Sequence, residues 1–163
     1  MKMRFARVRE RAALQELMRR SSLVWEEHRA ALLAHPDAIE VPERLLRDKR
    51  VRVAELDQQV VGFSQVLEAR RGVVELDGLF VEPAYMRRGI GRALVIDAAQ
   101  RAARDGAHAM EVTANPRAEG FYRKAGFETT GRADTRFGPA LRMRMRVGLH
   151  GLPGGAPPRG PYG

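Results

Sequence analysis

"LFVEPAYMRRGIGRALV", residues 79–95, runs from a short apolar segment through a proline, two adjacent arginines and two closely spaced glycines into a second apolar segment. A strand that enters a glycine-bearing loop and then a helix presents main-chain N–H groups without partners at the helix start, where the helix dipole also favours an anion. Gly89 and Gly91 let the backbone come close to a ligand, because a Cβ there would obstruct it or forbid positive φ. Arg87, Arg88 and Arg92 supply countercharge. The guest that such a loop suits is a pair of linked phosphates.

Two familiar phosphate binders do not fit. No run of Gly, four residues and Gly-Lys-Ser/Thr occurs, which argues against P-loop handling of nucleoside triphosphates. The dinucleotide fingerprint asks for a third small residue at position 94, which is Leu94, and for a place in the first strand–helix unit rather than past mid-chain. Glu111 stands about where the ribose-binding acid would, and the match stops there.

Outward from the loop, "GVVELDGLFVEP" (72–83) reads as a strand closed by Pro83, and "VRVAELDQQVVGFSQVLEA" (51–69) as two strands with a turn near Asp57 to Gln59. "MRFARVRE" (3–10) suggests a first strand. In residues 11–34, Leu14, Leu17 and Met18, then Val24, Trp25, Leu32 and Leu33 beyond Ser21 and Ser22, predict two short helices. Pro36 and Pro42 mark a loop with room for one more helical turn. After the glycines, Ile90, Leu94, Val95, Ala98 and Ala102 form a helical stripe that ends near Gly106. "AHAMEVTAN" (107–115) is a strand, "PRAEGFYRKAG" (116–126) a short helix stopped by Gly126, and "FETTGR" with "LRMRMRV" a final strand pair. In the last of these, Leu141, Met143, Met145 and Val147 alternate with arginines, one face buried and one wet, as suits a sheet edge or a dimer seam. From Gly148 to Gly163 the chain is rich in glycine and proline, and disorder is expected.

The stretch at 79–95, followed by "NPRAEGFYRKAGF" (115–127), resembles the GNAT superfamily of acyl-CoA-dependent N-acetyltransferases over about residues 3–147. The resemblance implies one domain to residue 147 of mixed α/β class: a mostly antiparallel central sheet with a splayed parallel strand pair, flanked by helices. It also implies acetyl-CoA as acetyl donor and an amine, on a small molecule or a protein, as acceptor. Carried over residue by residue, the diphosphate lies against Met86, Arg87, Arg88, Gly89, Ile90, Gly91 and Arg92, and the pantetheine arm pairs with main-chain groups of Leu79, Phe80 and Val81. Asn115 holds the pantetheine or the acceptor loop, and Tyr122 is the general acid for the departing thiolate. Glu75 lies eleven residues before Met86, the offset of the general-base glutamate in the family's histone-acetylating branch. Asp77, two residues on, shares its face in a regular strand and is the second candidate base. Met86 departs from the family pattern, which has a polar residue at the head of the loop. Similar folds pair through their C-terminal strands, so a homodimer is compatible with the reading.

Composition bounds the alternatives. The 163 residues contain no cysteine, which removes disulfides, thiolate metal sites and an acyl-cysteine intermediate and leaves direct attack by the acceptor. His28, His35, His108 and His150 share no metal-ligand spacing, and no metal is expected. Nothing approaches the ~18 apolar residues of a membrane span, and a cytoplasmic protein is the expectation. The net charge of +9 invites a nucleic-acid partner, yet residues 51–127 hold 11 basic against 10 acidic residues, so the excess is not one patch. A non-catalytic acyl-CoA-binding module, and less strongly a basic nucleic-acid-associated protein, are the competing readings.

Overall fold

The computed structural model describes residues 1–24 and 34–148. The second of the two helices expected in 11–34, with Trp25 and His28, and the tail beyond Gly148 lie outside the described residues. The architecture is mixed α/β: a seven-stranded sheet in the order β1-β2-β3-β4-β5-β7-β6, antiparallel pairs joined to one parallel pair, β4–β5, with flanking helices. The strands are β1 (Lys2–Phe5), β2 (Val51–Leu56), β3 (Gln59–Val66), β4 (Val73–Val81), β5 (Ala109–Ala114), β6 (Glu128–Thr135) and β7 (Gly138–Arg146). The helices are α1 (Arg11–Leu23), α2 (Glu43–Arg47), α3 (Ile90–Arg104) and α4 (Glu119–Ala125). Backbone contacts group these into two compact units, Met1–Leu67 with Asp77–Val95, and Glu68–Leu76 with the chain from Ile96.

In the first unit β1 pairs antiparallel with β2, and β2 with β3. Alternation along β2 sends Val51 and Val53 into a core with Leu14, Leu17, Val41, Leu45, Leu46 and Phe63. Ala54 joins Val61, Ile90 and Leu94 in a second core, against which Met3, Leu56, Leu79, Val81 and Tyr85 pack. The start of α3 is therefore clamped to the sheet by its own apolar stripe. Helix α1 does not break at Ser21 and Ser22: it runs through to Leu23, and Ser21 is buried. The ten residues before the serines, Arg11 to Arg20, are all good helix formers, and with their apolar contacts they outweigh the modest helix penalty of Ser21 and Ser22.

The β2–β3 turn puts both of its residues, Asp57 (φ 50) and Gln58 (φ 65), in left-handed backbone. That is the two-residue hairpin geometry which favours Asp-Gly. Gln58→Gly is accordingly expected to raise stability by about 0.5–1 kcal/mol, less strain outweighing the entropy of glycine, read as a higher denaturant midpoint with unchanged slope.

In the second unit β4 runs parallel to β5 from Val73↔Ala109 to Leu76↔Val112, and β5 pairs antiparallel with β7. Met143, Met145 and Val147 are buried and Arg146 is exposed, the alternation expected of this strand. Its position differs from the expectation. Strand β7 lies between β5 and β6, and β6 forms the edge, because the chain turns at Arg136 and Phe137 and returns inside its predecessor.

Candidate active site

The loop that carries the phosphate reading is built entirely within the first unit. A single 3-10 turn, Pro83–Tyr85, ends β4 and is tied back by the Glu82 N–H donating to the Val61 carbonyl at 2.8 Å. Arg20 of α1 donates to both Glu82 oxygens, at 2.6 and 2.9 Å. Met86 is extended, Arg87 turns left-handed (φ 62), and Gly89 is left-handed again (φ 80). The Gly89 carbonyl accepts the first helical bond, from the Ala93 N–H at 3.0 Å. The N–H groups of Ile90, Gly91 and Arg92 thus belong to the first turn of α3 and have no intrahelical acceptor. A Cβ built on Gly89 would meet nothing within 4 Å, so the space in front of the turn is open. Arg87, Arg88 and Arg92 are exposed, and the Arg88 guanidinium lies over the Tyr85 ring at 5.2 Å. Open main-chain donors, a bare glycine and flanking guanidinium groups fit an anion such as the diphosphate of coenzyme A.

Of the other proposed donor contacts, Leu79 and Val81 pack on the second core, while Phe80 turns its ring onto Phe63 at 5.1 Å. Strand β4 continues through these residues beyond its last parallel pair, Leu76↔Val112.

The two candidate bases have different company. Glu75, half-buried, accepts from Arg142 through both oxygens, at 2.9 and 3.2 Å. Arg142 also donates to Glu111 Oε2 at 2.6 Å and to the Thr113 hydroxyl, and Arg144 donates to Glu111 Oε1 at 2.8 Å. The bond from Glu75 is the leading reason that Arg142 is held above the ordinary arginine range; burial opposes it and Glu111 adds to it. Asp77 is exposed and accepts one bond, through Oδ2, from Gln65 Nε2 at 3.0 Å.

Asn115 heads the short turn Pro116–Ala118, its Oδ1 accepting from the Arg117 N–H at 2.9 Å, so turn formation accounts for one of its polar atoms. Tyr122 sits in α4, buried, edge-on to Phe121 at 5.0 Å and to Phe127 at 5.5 Å. Burial pushes its phenol from 10 up to about 12, because an ionised oxygen there would lose its water. Such a group stays protonated across the physiological range. Its linkage runs one way: between about pH 10 and 12 the unfolded chain ionises this tyrosine and the folded chain does not, so stability is full below 10 and falls as pH rises. Tyr122→Phe should remove about 2–3 kcal/mol of the alkaline loss over that window, measured as the difference between wild-type and variant unfolding curves at pH 9 and pH 12.

Sequence reading missed two residues. Gln65 is a buried amide beside the buried Ser64 in the mostly apolar run "VVGFSQV", a signal present in the sequence. Arg142 belongs by its spacing to the wet face of an alternating strand, and nothing in that pattern points to Glu75 or Glu111.

Comparison with known proteins shows the family and the fold. A family model described as acetyltransferase (GNAT) domain matches residues 30–147. No curated protein matches the chain. Among solved structures, the fold is similar to that of the PaiA N-acetyltransferase from Thermoplasma acidophilum in complex with coenzyme A, with TM-score 0.70 and 20% identity over 90% of this chain and 98% of that one. A GCN5-related N-acetyltransferase from Rhodopseudomonas palustris superposes with TM-score 0.73 at 19% identity, covering 90% and 95% of the two chains. An aminoglycoside 6′-N-acetyltransferase complexed with coenzyme A gives 0.67 at 18% identity, covering 90% and 97%.

Proposed function

Because the chain belongs to the GNAT acetyltransferase family, we propose that it is an N-acetyltransferase that moves an acetyl group from acetyl-CoA directly to an amine acceptor. The observation that carries the reading is the open turn at Gly89, where the first N–H groups of α3 have no helical acceptor and a Cβ would meet nothing within 4 Å. Acetyl-CoA, when bound, supplies an activated thioester carbonyl. Residues Met86 to Arg92 hold its diphosphate, through main-chain donors more than side chains, which is why Met86 at the head of the loop is tolerated. Main-chain groups of Leu79, Phe80 and Val81 orient the pantetheine arm, and Asn115 assists.

The chain's own part in the chemistry is proton handling. A β4 carboxylate, Glu75 or Asp77, takes a proton from the acceptor ammonium directly or through a water, freeing its lone pair. Tyr122 gives its phenol proton to the departing sulfur. A tyrosine phenol is protonated at neutral pH at its ordinary value and burial keeps it so, which leaves it a proton to give. The absence of cysteine from the whole chain supports direct transfer without an acyl-cysteine.

The acceptor class is an amine on a small molecule or a protein. The aminoglycoside enzyme shares the fold, and at that level of identity the likeness does not carry its substrate over. An acceptor screen read by mass spectrometry, with thiol release measured alongside, tests the proposal. Saturable acetyl-CoA binding and amine-dependent thiol release are expected. Binding without turnover on any amine would favour a sensing module, and salt-sensitive oligonucleotide binding without coenzyme A affinity would favour the nucleic-acid reading.

A further inference from the structure

The two carboxylates of β4 differ in what they have left to offer. Both Glu75 oxygens are taken by Arg142, which Glu111 shares. Among the described residues Asp77 gives up Oδ2 alone, and to a neutral donor, Gln65 Nε2. Gln65 itself is unusual: it is 4% exposed, and its carbonyl oxygen Oε1 is buried with no hydrogen-bond partner among the described residues. A stranded buried carbonyl costs stability, and native structures keep one where it serves a purpose. Turning the amide over would not cure the defect. It would set Oε1 against Asp77 Oδ2, two acceptors face to face. The amide's orientation is therefore dictated by Asp77. Gly78 builds the arrangement, since a Cβ there would lie 2.7 Å from Phe80 Cε2 and 2.8 Å from Gln65 Cγ. Bare backbone at 78 is what lets the Gln65 stem lie along β4.

We propose that Gln65 is a positioning residue for acetyl transfer: by holding Asp77 through Oδ2 it leaves Oδ1 as the oxygen that takes the acceptor's proton, while Glu75 serves as the ion-pair partner of Arg142. The inference rests on the transferase reading above. In the step, Asp77 Oδ1 takes one proton from the ammonium, and the freed nitrogen lone pair forms the C–N bond on the thioester carbonyl carbon. The C–S bond breaks as sulfur takes the Tyr122 proton. The phenolate recovers a proton from the nitrogen, and Asp77 returns its own to water, so one ammonium and one thioester yield one amide, one thiol and one proton.

The test is a double-mutant cycle with Gln65→Met and Asp77→Asn, run beside Glu75→Gln on the full chain with an amine found in the screen. Asp77→Asn is expected to lower kcat about 100-fold and by more than Glu75→Gln does, and Gln65→Met about tenfold with the KM for acetyl-CoA unchanged. In the double variant the Gln65 effect should vanish, because it acts through Asp77. A readout independent of turnover is the melting temperature of Gln65→Met, expected to rise as the stranded carbonyl is removed. If methionine does not fold, Gln65→Asn, which draws the amide back from Asp77, carries the same cycle. Turnover that survives Asp77→Asn, or a Gln65 loss that adds in full to the Asp77 loss, overturns the inference alone. A wild-type protein inactive towards every amine overturns the transferase reading and the inference with it.

Discussion

Tyr122→Phe is expected to lower kcat by about two orders of magnitude while the affinity for acetyl-CoA, measured by calorimetry, changes less than about threefold. Loss of a positioned general acid typically costs 10²–10⁴ in rate. The lower end is expected here, because water can still protonate a thiolate, a leaving group less basic than an alkoxide. The replacement is conservative for the fold. Phe121 and Phe127 contact the ring, and the ring is retained. Losing the hydroxyl also removes the group whose ionisation burial resists, so the variant should be no less stable at neutral pH and more stable above pH 10. A tyrosine that served packing alone would show the stability effect without the rate effect. Retained turnover in a folded Tyr122→Phe protein would remove the residue from the mechanism.

The second large effect is expected at Gly89→Ala, with the Kd for coenzyme A raised about 100-fold and the fold retained. Two costs combine. An alanine at φ 80 is strained by about 1–2 kcal/mol, and relief of that strain rotates the N–H groups of the first turn away from a bound phosphate. The new methyl also stands in the open space in front of the turn. Loss of one charge-assisted hydrogen bond, worth about 1.5–3 kcal/mol, is enough for the stated change in Kd. Competition calorimetry with coenzyme A measures it. Since nothing lies within 4 Å of the new Cβ, no clash inside the protein accounts for a loss of binding, which separates a ligand effect from a packing effect. Unchanged affinity would place the diphosphate elsewhere.

How much of this was legible beforehand depended on how local each feature is. The stripe Ile90, Leu94, Val95, Ala98 and Ala102 is buried on α3 as its spacing implied, and α4 stops before Gly126, whose left-handed φ of 116 ends the helix. Both are set within a few residues of chain. Helix α1 running past Ser21 and Ser22 was not foreseen, because a local penalty of a few tenths of a kcal/mol per residue yields to contacts made by residues distant in sequence. The placement of β7 inside the sheet, with β6 at the edge, was misread for a related reason. An alternating strand has the same pattern whether or not a neighbour covers its outer edge.

The candidate site divides along the same line. A loop of successive residues, 86 to 92, announced itself through its own glycines and charges, and the family's two motifs did likewise, since main-chain donors at a helix start need only local sequence to exist. What each carboxylate of β4 can do was decided elsewhere: Arg142, 67 residues away, occupies Glu75, and Gln65, on a neighbouring strand, takes one oxygen of Asp77. Arg142 reaches Glu75 only when strands far apart in the chain are brought together, Gln65 reaches Asp77 across two consecutive strands, and neither hydrogen bond leaves a spacing rule in the sequence.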